Sequence, residues 1–322
     1  MKKTTFHTLL IIVLLLLTVL PVSAAELLIP GGQVIGLQLT DGTVTVASFD
    51  PQLGKPARDA GLEVGDRIVR IGDRKVSSAE DIRAALEKSG GSVEIHVLRD
   101  GKTKKFRLEP AITSDGPRLG VYLKEGIAGI GTVTWYDREG RAFGALGHGV
   151  SNAEGQPVQM GEGSVFSAAV VSVQKGKCGE PGQLMGTLTE KAPIGTLRKN
   201  TLQGIFGKLD RPVTGQVLAT ADRHEIRTGP AVIRSTVSGS SLQEYSVEIL
   251  KIYPSASATG RNMLLKVTDP VLLEATGGIV QGMSGSPIIQ DGKLIGAVTH
   301  VLVNDPTTGY GIFIENMLDA AA

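Results

Sequence analysis

The chain is built from short alternating runs punctuated by glycine, and this pattern limits the folds open to it. Thr132-Val133-Thr134-Trp135-Tyr136 alternates and then meets a turn at Asp137-Arg138-Glu139-Gly140. Ser167 to Val173 and Val247 to Ile252 have the same character. Asp291-Gly292 is a two-residue hairpin signal between Pro287-Ile288-Ile289 and Leu294-Ile295. The 42 glycines and an aromatic content of 4% favour many short strands and tight turns over large helices. A mainly β chain of sandwich or barrel type is expected. At about 150 residues per domain, 322 residues suggest two domains, and 41% apolar residues suffice for two cores.

The N-terminus reads as an export segment. Lys2 and Lys3 precede an apolar run from Leu9 to Leu20 broken only by Thr18, and Pro21-Val22-Ser23-Ala24-Ala25 follows. These are the charged, apolar and small-residue regions of a secretory signal, with cleavage possible after Ala24. The run is shorter than the roughly 18 residues of a spanning helix, although an uncleaved anchor stays open. Residues 1–25 are thus a signal peptide or membrane anchor, and the remainder acts outside the cytoplasm.

The turn Gly282-Met283-Ser284-Gly285-Ser286-Pro287 carries the strongest chemical signal. A serine hydroxyl is a weak nucleophile that needs an adjacent base and room for a tetrahedral intermediate. The oxyanion must meet backbone N–H groups, which a tight, small-residue turn can supply. The candidate donors are the N–H groups of Gly282 and Ser284. Of five histidines, His148 in Gly144-Ala145-Leu146-Gly147-His148-Gly149-Val150 has the most open surroundings. His7 falls in the leader, His96 on the polar side of an alternating run, and His224 in a charged run. His300 closes the apolar run from Leu294 to Thr299 and reads as a strand-end residue.

Together the serine turn and histidine loop resemble the SpoIVB peptidase family, sporulation serine peptidases of endospore-forming bacteria. Gly126 to Thr132, and Thr276 to Gln281 before the serine turn, add to the likeness. The resemblance implies a chymotrypsin-like double β-barrel over 111–322. It makes Ser284 the nucleophile, His148 the general base and Asp269, in Val267-Thr268-Asp269-Pro270, the acid. By position alone Asp210 and Asp222 are alternatives, and Asp-Pro is also a common turn starter. The resemblance further implies self-cleavage and export into the forespore intermembrane space. The implied role is cleavage of a membrane-associated regulator, which releases an intramembrane protease that activates a late sigma factor.

Residues 26–110 resemble a PDZ domain. Val34-Ile35-Gly36-Leu37-Gln38-Leu39 is similar to a carboxylate-binding loop and its strand, which makes Ile35, Gly36 and Leu37 the candidate peptide site. Ser78-Ala79-Glu80-Asp81 opens a helix, with Ser78 as cap and Ile82, Ala85 and Leu86 at helical spacing. The implied ligand is a peptide C-terminus. A formal net charge of +1 gives no reason to expect a nucleic-acid partner. The single cysteine, Cys178, rules out an intramolecular disulfide. No metal cluster or phosphate loop is evident, so no metal or other cofactor is expected. Two other readings remain open. An HtrA-like quality-control protease shares a similar turn but usually carries its PDZ modules after the peptidase. In a catalytically silent PDZ adaptor, Ser284 would be only a turn residue.

Overall fold

The computed structural model describes residues 25–151, 155, 157–255 and 260–322. The expected leader lies outside them apart from Ala25. Among the described residues no helix is long and apolar enough to cross a membrane.

The chain opens with β1 (Leu27–Pro30) and a 16-residue strand, β2 (Val34–Phe49). It continues through α1 (Lys55–Asp59), β3 (Arg67–Ile71), β4 (Arg74–Lys75), α2 (Ala79–Ser89), β5 (Val93–Arg99) and β6 (Lys102–Leu108). A small hairpin of β7 (Ala111–Thr113) and β8 (Gly116–Arg118) leads into a second 16-residue strand, β9 (Val121–Tyr136). The far half of β2 pairs with the near half of β9, Phe49 facing Val121, and with β3 on its other side. The sheet then extends to β5 and β6. Ile82 and Leu86 of α2 pack on Val46, Ile68, Ile95 and Val97 in one apolar cluster, the PDZ core. Ser78 caps α2 by accepting the Asp81 N–H at 3.1 Å.

The other halves of the two long strands belong to a barrel. Val34–Leu39 of β2 pairs with Ile127–Thr132 of β9. The barrel continues with β10 (Ala142–Ala145), β11 (Glu162–Gln174), β12 (Gln183–Leu188), β13 (Gly195–Thr201) and β14 (Gly204–Leu209). The order β9-β10-β14-β13-β11-β2 closes through the β2–β9 pairing, and β12 rides on β11. Leu37, Leu39, Val133, Phe143, Val165 and Ile205 fill the interior.

A short β15 (Leu218–Ala219) pairs with β1. The second barrel uses β16 (Gly229–Ser238), β17 (Ser241–Ile252), β18 (Met263–Val267), β19 (Pro287–Gln290), β20 (Lys293–Leu302) and β21 (Asp305–Phe313). It closes in the order β16-β17-β18-β21-β20-β19 around Ile233, Val247, Leu265, Ile288, Val298 and Phe313. Closure leaves neither barrel with a free sheet edge along its wall. Between β18 and β19 lies α3 (Pro270–Thr276), and the chain ends in α4 (Ile314–Ala321). Trp135 and Phe206 of the first barrel meet Leu294, Ala297 and Ile312 of the second, with Ile314 and Met317 of α4 completing the seam.

The expected boundary at 110/111 is not where the strand pairing divides the chain. The PDZ sheet is inserted between two barrel strands, entered through β2 and left through β9. The placement of Ile35, Gly36 and Leu37 in a peptide site is also corrected. These residues are paired on both sides, Gly36 with Phe166 of β11 and with Ile130 of β9. No backbone edge is left there to take an added strand. Ile35 and Leu37 are barrel core residues.

Candidate active site

Ser284 sits in the loop that leads into β19, where the glycines do specific work. Gly285 has φ 98°, and a Cβ there would overlap the Thr132 carbonyl and the Leu146 N–H. Gly282 has φ 97°, the left-handed region that side chains avoid. The backbone bonds orient the loop. The Gln281 carbonyl accepts the Leu184 N–H at 2.8 Å, and the Met283 carbonyl accepts the Ser286 N–H at 2.9 Å. Each of these peptides is thus held by its oxygen, which turns the Gly282 and Ser284 N–H groups the other way. Neither N–H has an acceptor among the described residues. Two unpaired donors in the turn that carries a serine are the groups that could receive a developing oxyanion.

His148 stands in the loop after β10. Leu146 and Gly147 both have positive φ, 69° and 68°. Leu146 is buried, and a non-glycine residue in this region carries about 1–3 kcal/mol of strain. Its N–H donates to Thr132 O at 3.1 Å, which holds the loop in place. His148 Nδ1 lies 2.9 Å from Gly149 O. A carbonyl can only accept, so Nδ1 carries the proton and Nε2 keeps its lone pair, the form a general base requires.

His148, Ser284, Gly282, Thr299 and His300 share a cleft of about 400 Å³ between the barrels, walled by Leu37, Ile130 and Val280. In this state the Ser284 hydroxyl donates to Thr299 O at 2.7 Å and not to the imidazole. Burial pushes the His148 pKa below the ordinary imidazole value, partly offset by the bond to Gly149. The His300 ring faces that of His148, centroids 5.2 Å apart. Its Nδ1 is buried with no partner among the described residues. Burial, then His148 and Arg261, push the His300 pKa down to about 4. The apolar run before His300 hid this residue, because alternation places it on a strand without showing what faces that strand.

The structure does not bring Asp269 to His148. Asp269 is the N-cap of α3, with Oδ1 accepting the N–H groups of Val271 at 3.0 Å and Leu272 at 3.1 Å. Its other oxygen accepts the Ser246 N–H at 3.3 Å. The Asp-Pro pair signals a helix start as readily as an acid. Asp222 accepts from the His224 N–H in a separate surface cavity with Glu225 and Lys293. Asp210 uses its backbone against Ile194 and Arg141, at the far end of β14. No carboxylate among the described residues lines the cleft.

Two closed six-stranded barrels with a serine, a histidine and free N–H groups between them define the architecture of a chymotrypsin-like serine peptidase. The SpoIVB peptidase S55 family model matches residues 115–318, and a PDZ domain model matches residues 33–109. The chain belongs to the SpoIVB peptidase S55 family. It is 40% identical over 80 residues to a putative zinc metalloprotease, SA1105, of Staphylococcus aureus strain N315, covering 24% of this chain and 19% of that protein. It is 52% identical over 46 residues to zinc metalloprotease Rip1 of Mycobacterium tuberculosis strain H37Rv, covering 14% and 11%. The chain therefore spans under a fifth of the length of these curated relatives. Among solved structures, the active form of the Rv3671c protease from M. tuberculosis aligns with TM-score 0.34 at 15% identity, over 73% of this chain and 80% of that one. The PDZ domain of the SdrC-like protein Lmo2051 from Listeria monocytogenes aligns with TM-score 0.22 at 27% identity, over 25% and 85%.

Proposed function

We propose that Ser284 is the nucleophile and His148 the general base of this serine peptidase. The observation that carries this reading is the meeting of Ser284, His148 and two unpaired N–H groups in one cleft. For attack the Ser284 hydroxyl must leave Thr299 O, 2.7 Å away, and turn toward His148 Nε2. His148 accepts its proton as Oγ attacks the scissile carbonyl, the Gly282 and Ser284 N–H groups hold the oxyanion, and His148 then protonates the leaving amine. Water repeats the sequence on the acyl-enzyme. The Gly149 carbonyl orients the imidazole here.

A fluorophosphonate probe tests the assignment. Ser284 Oγ displaces fluoride at phosphorus and its proton passes to His148. Labelling of the wild type, lost in Ser284→Ala and reduced at least about 100-fold in His148→Ala, is expected. A folded wild type that does not label would favour the silent adaptor.

Family membership supports a role in sporulation signalling, with cleavage of a membrane-associated regulator, self-cleavage and export through the N-terminal segment. A spore-forming host carrying Ser284→Ala should accumulate the uncleaved regulator and fail to activate the late sigma factor. For the PDZ domain, the reading shifts to the groove between α2 and the near half of β9. Ile82, Leu86, Leu119, Gly120 and Val121 line a cavity of about 380 Å³ there. Among the described residues Val121–Glu125 pairs only with β2, which leaves its other edge to take a peptide strand. A peptide with an apolar C-terminus should slow hydrogen exchange at 119–125; slowing at 34–39 instead would count against this placement.

A further inference from the structure

We infer that Thr132 is the positioning residue for the oxyanion donors, set in the first barrel and acting on a loop of the second. The inference rests on the assignment of Ser284 and of the Gly282 and Ser284 N–H groups above. Thr132 is fully buried and lies in β9, paired with Val34. All three of its hydrogen-bonding groups are spent on the site. Its hydroxyl donates to Gly282 O at 2.7 Å. Its N–H donates to Ser284 O at 3.2 Å, and its carbonyl accepts the Leu146 N–H at 3.1 Å.

The geometry explains the role. The oxyanion donors belong to the peptides before and after the Gly282–Met283 peptide. That central peptide is pinned at both ends, its carbonyl by the Thr132 hydroxyl and its N–H by Val280 O at 3.1 Å. Without the hydroxyl the central peptide keeps only its bond to Val280 O, and the Gly282 carbonyl loses its partner. Slack in this linking peptide would let the two flanking donors shift relative to each other and change the gap that the oxyanion must fit. The bond to Leu146 ties the histidine loop to the same residue. One buried threonine therefore references both halves of the site to a single strand. Positioning of this kind acts on the transition state, because the oxyanion exists only there.

The test uses the full chain and the fluorophosphonate probe, whose phosphoryl oxygen enters the same donor pair. The limiting labelling rate and the half-saturating probe concentration are measured separately. Thr132→Val, which removes only the hydroxyl function at nearly constant volume, should lower the limiting rate about 10- to 100-fold. Half-saturation should stay within about threefold. Thr132→Ser restores the hydroxyl and should return the rate to within about threefold of wild type. A valine variant as fast as wild type, or a serine variant as slow as valine, overturns the inference. If the valine chain does not fold, Thr132→Ala is compared with Thr132→Ser in its place. Loss of fold in both, with serine folded, would assign the hydroxyl to the fold and equally overturn a role confined to the turn. Labelling that survives Ser284→Ala would instead sink the reading of the site, whatever Thr132 does.

Discussion

The two histidines of the cleft differ in what they do to the protein. His148 has an acceptor for one nitrogen and a lone pair on the other, whereas the His300 Nδ1 is buried without a partner among the described residues. Both resist protonation because burial disfavours the charged ring. The acid limb of the labelling rate should therefore fall below 6.5, the ordinary imidazole value. A pH–rate profile checks this, and an acid limb above 6.5 would contradict it. The same shifts govern stability. The unfolded chain takes up a proton near 6.5, but folded His300 does so only at about 4. Stability is thus full above 6.5 and falls as pH drops through that window. Urea midpoints at pH 7 and pH 5 should show the fall, and His300→Phe should reduce it. Asp269 offers a sharper contrast. Asp269→Ala removes a helix cap, which should cost about 1 kcal/mol in chemical denaturation. Labelling per folded molecule should stay within about threefold, whereas disabling a true triad acid costs about 10⁴-fold.

At the scale of elements, strongly local signals were legible and long-range ones were not. The Asp291-Gly292 turn, with both residues at positive φ, joins β19 to β20 as expected. Ser78 caps α2, and the alternation before Asp137 ends in a turn at Gly140. Each of these is decided within a few residues. Ile35-Gly36-Leu37 was not legible, because an apolar run with one glycine suits a barrel strand and a PDZ loop equally. Only the partners on either side, β11 and β9, decide between them. The C-terminal helix was not legible for a similar reason: its apolar face matters only against the barrel seam. Met317 is fully buried there beside Trp135, the one tryptophan. Met317→Ala should cost about 2–5 kcal/mol, read as a lower denaturation midpoint in Trp135 fluorescence. A midpoint unchanged within error would mean that α4 does not brace the seam.

For the whole molecule, the sequence pattern separated a PDZ segment from two barrels but did not show the strands that they share. A PDZ core and two barrels were expected in succession; the chain instead runs from barrel to PDZ and back along β2 and β9. Because the strands are shared, a defect in the PDZ core should be felt at the active site. Ile95 is fully buried in that core, distant from the cleft. Ile95→Ala should lower the temperature at which Ser284 labelling is lost, in step with overall unfolding. If labelling kept its wild-type temperature profile while the PDZ sheet melted early, the two would be independent units.

The doubled crossing also has a mechanical meaning. A single linker lets a domain swing; two antiparallel strands bonded to each other resist bending across their width and transmit load along their length. The ladder shifts register twice, between Val46 and Ser48 and between Leu39 and Val44 opposite Gly126, and the second of these joints lies between the proposed groove and the cleft wall. A pull or twist applied at the groove would pass that joint and travel down β9 past Ile130 to Thr132, arriving as shear on the strand that holds the catalytic loop.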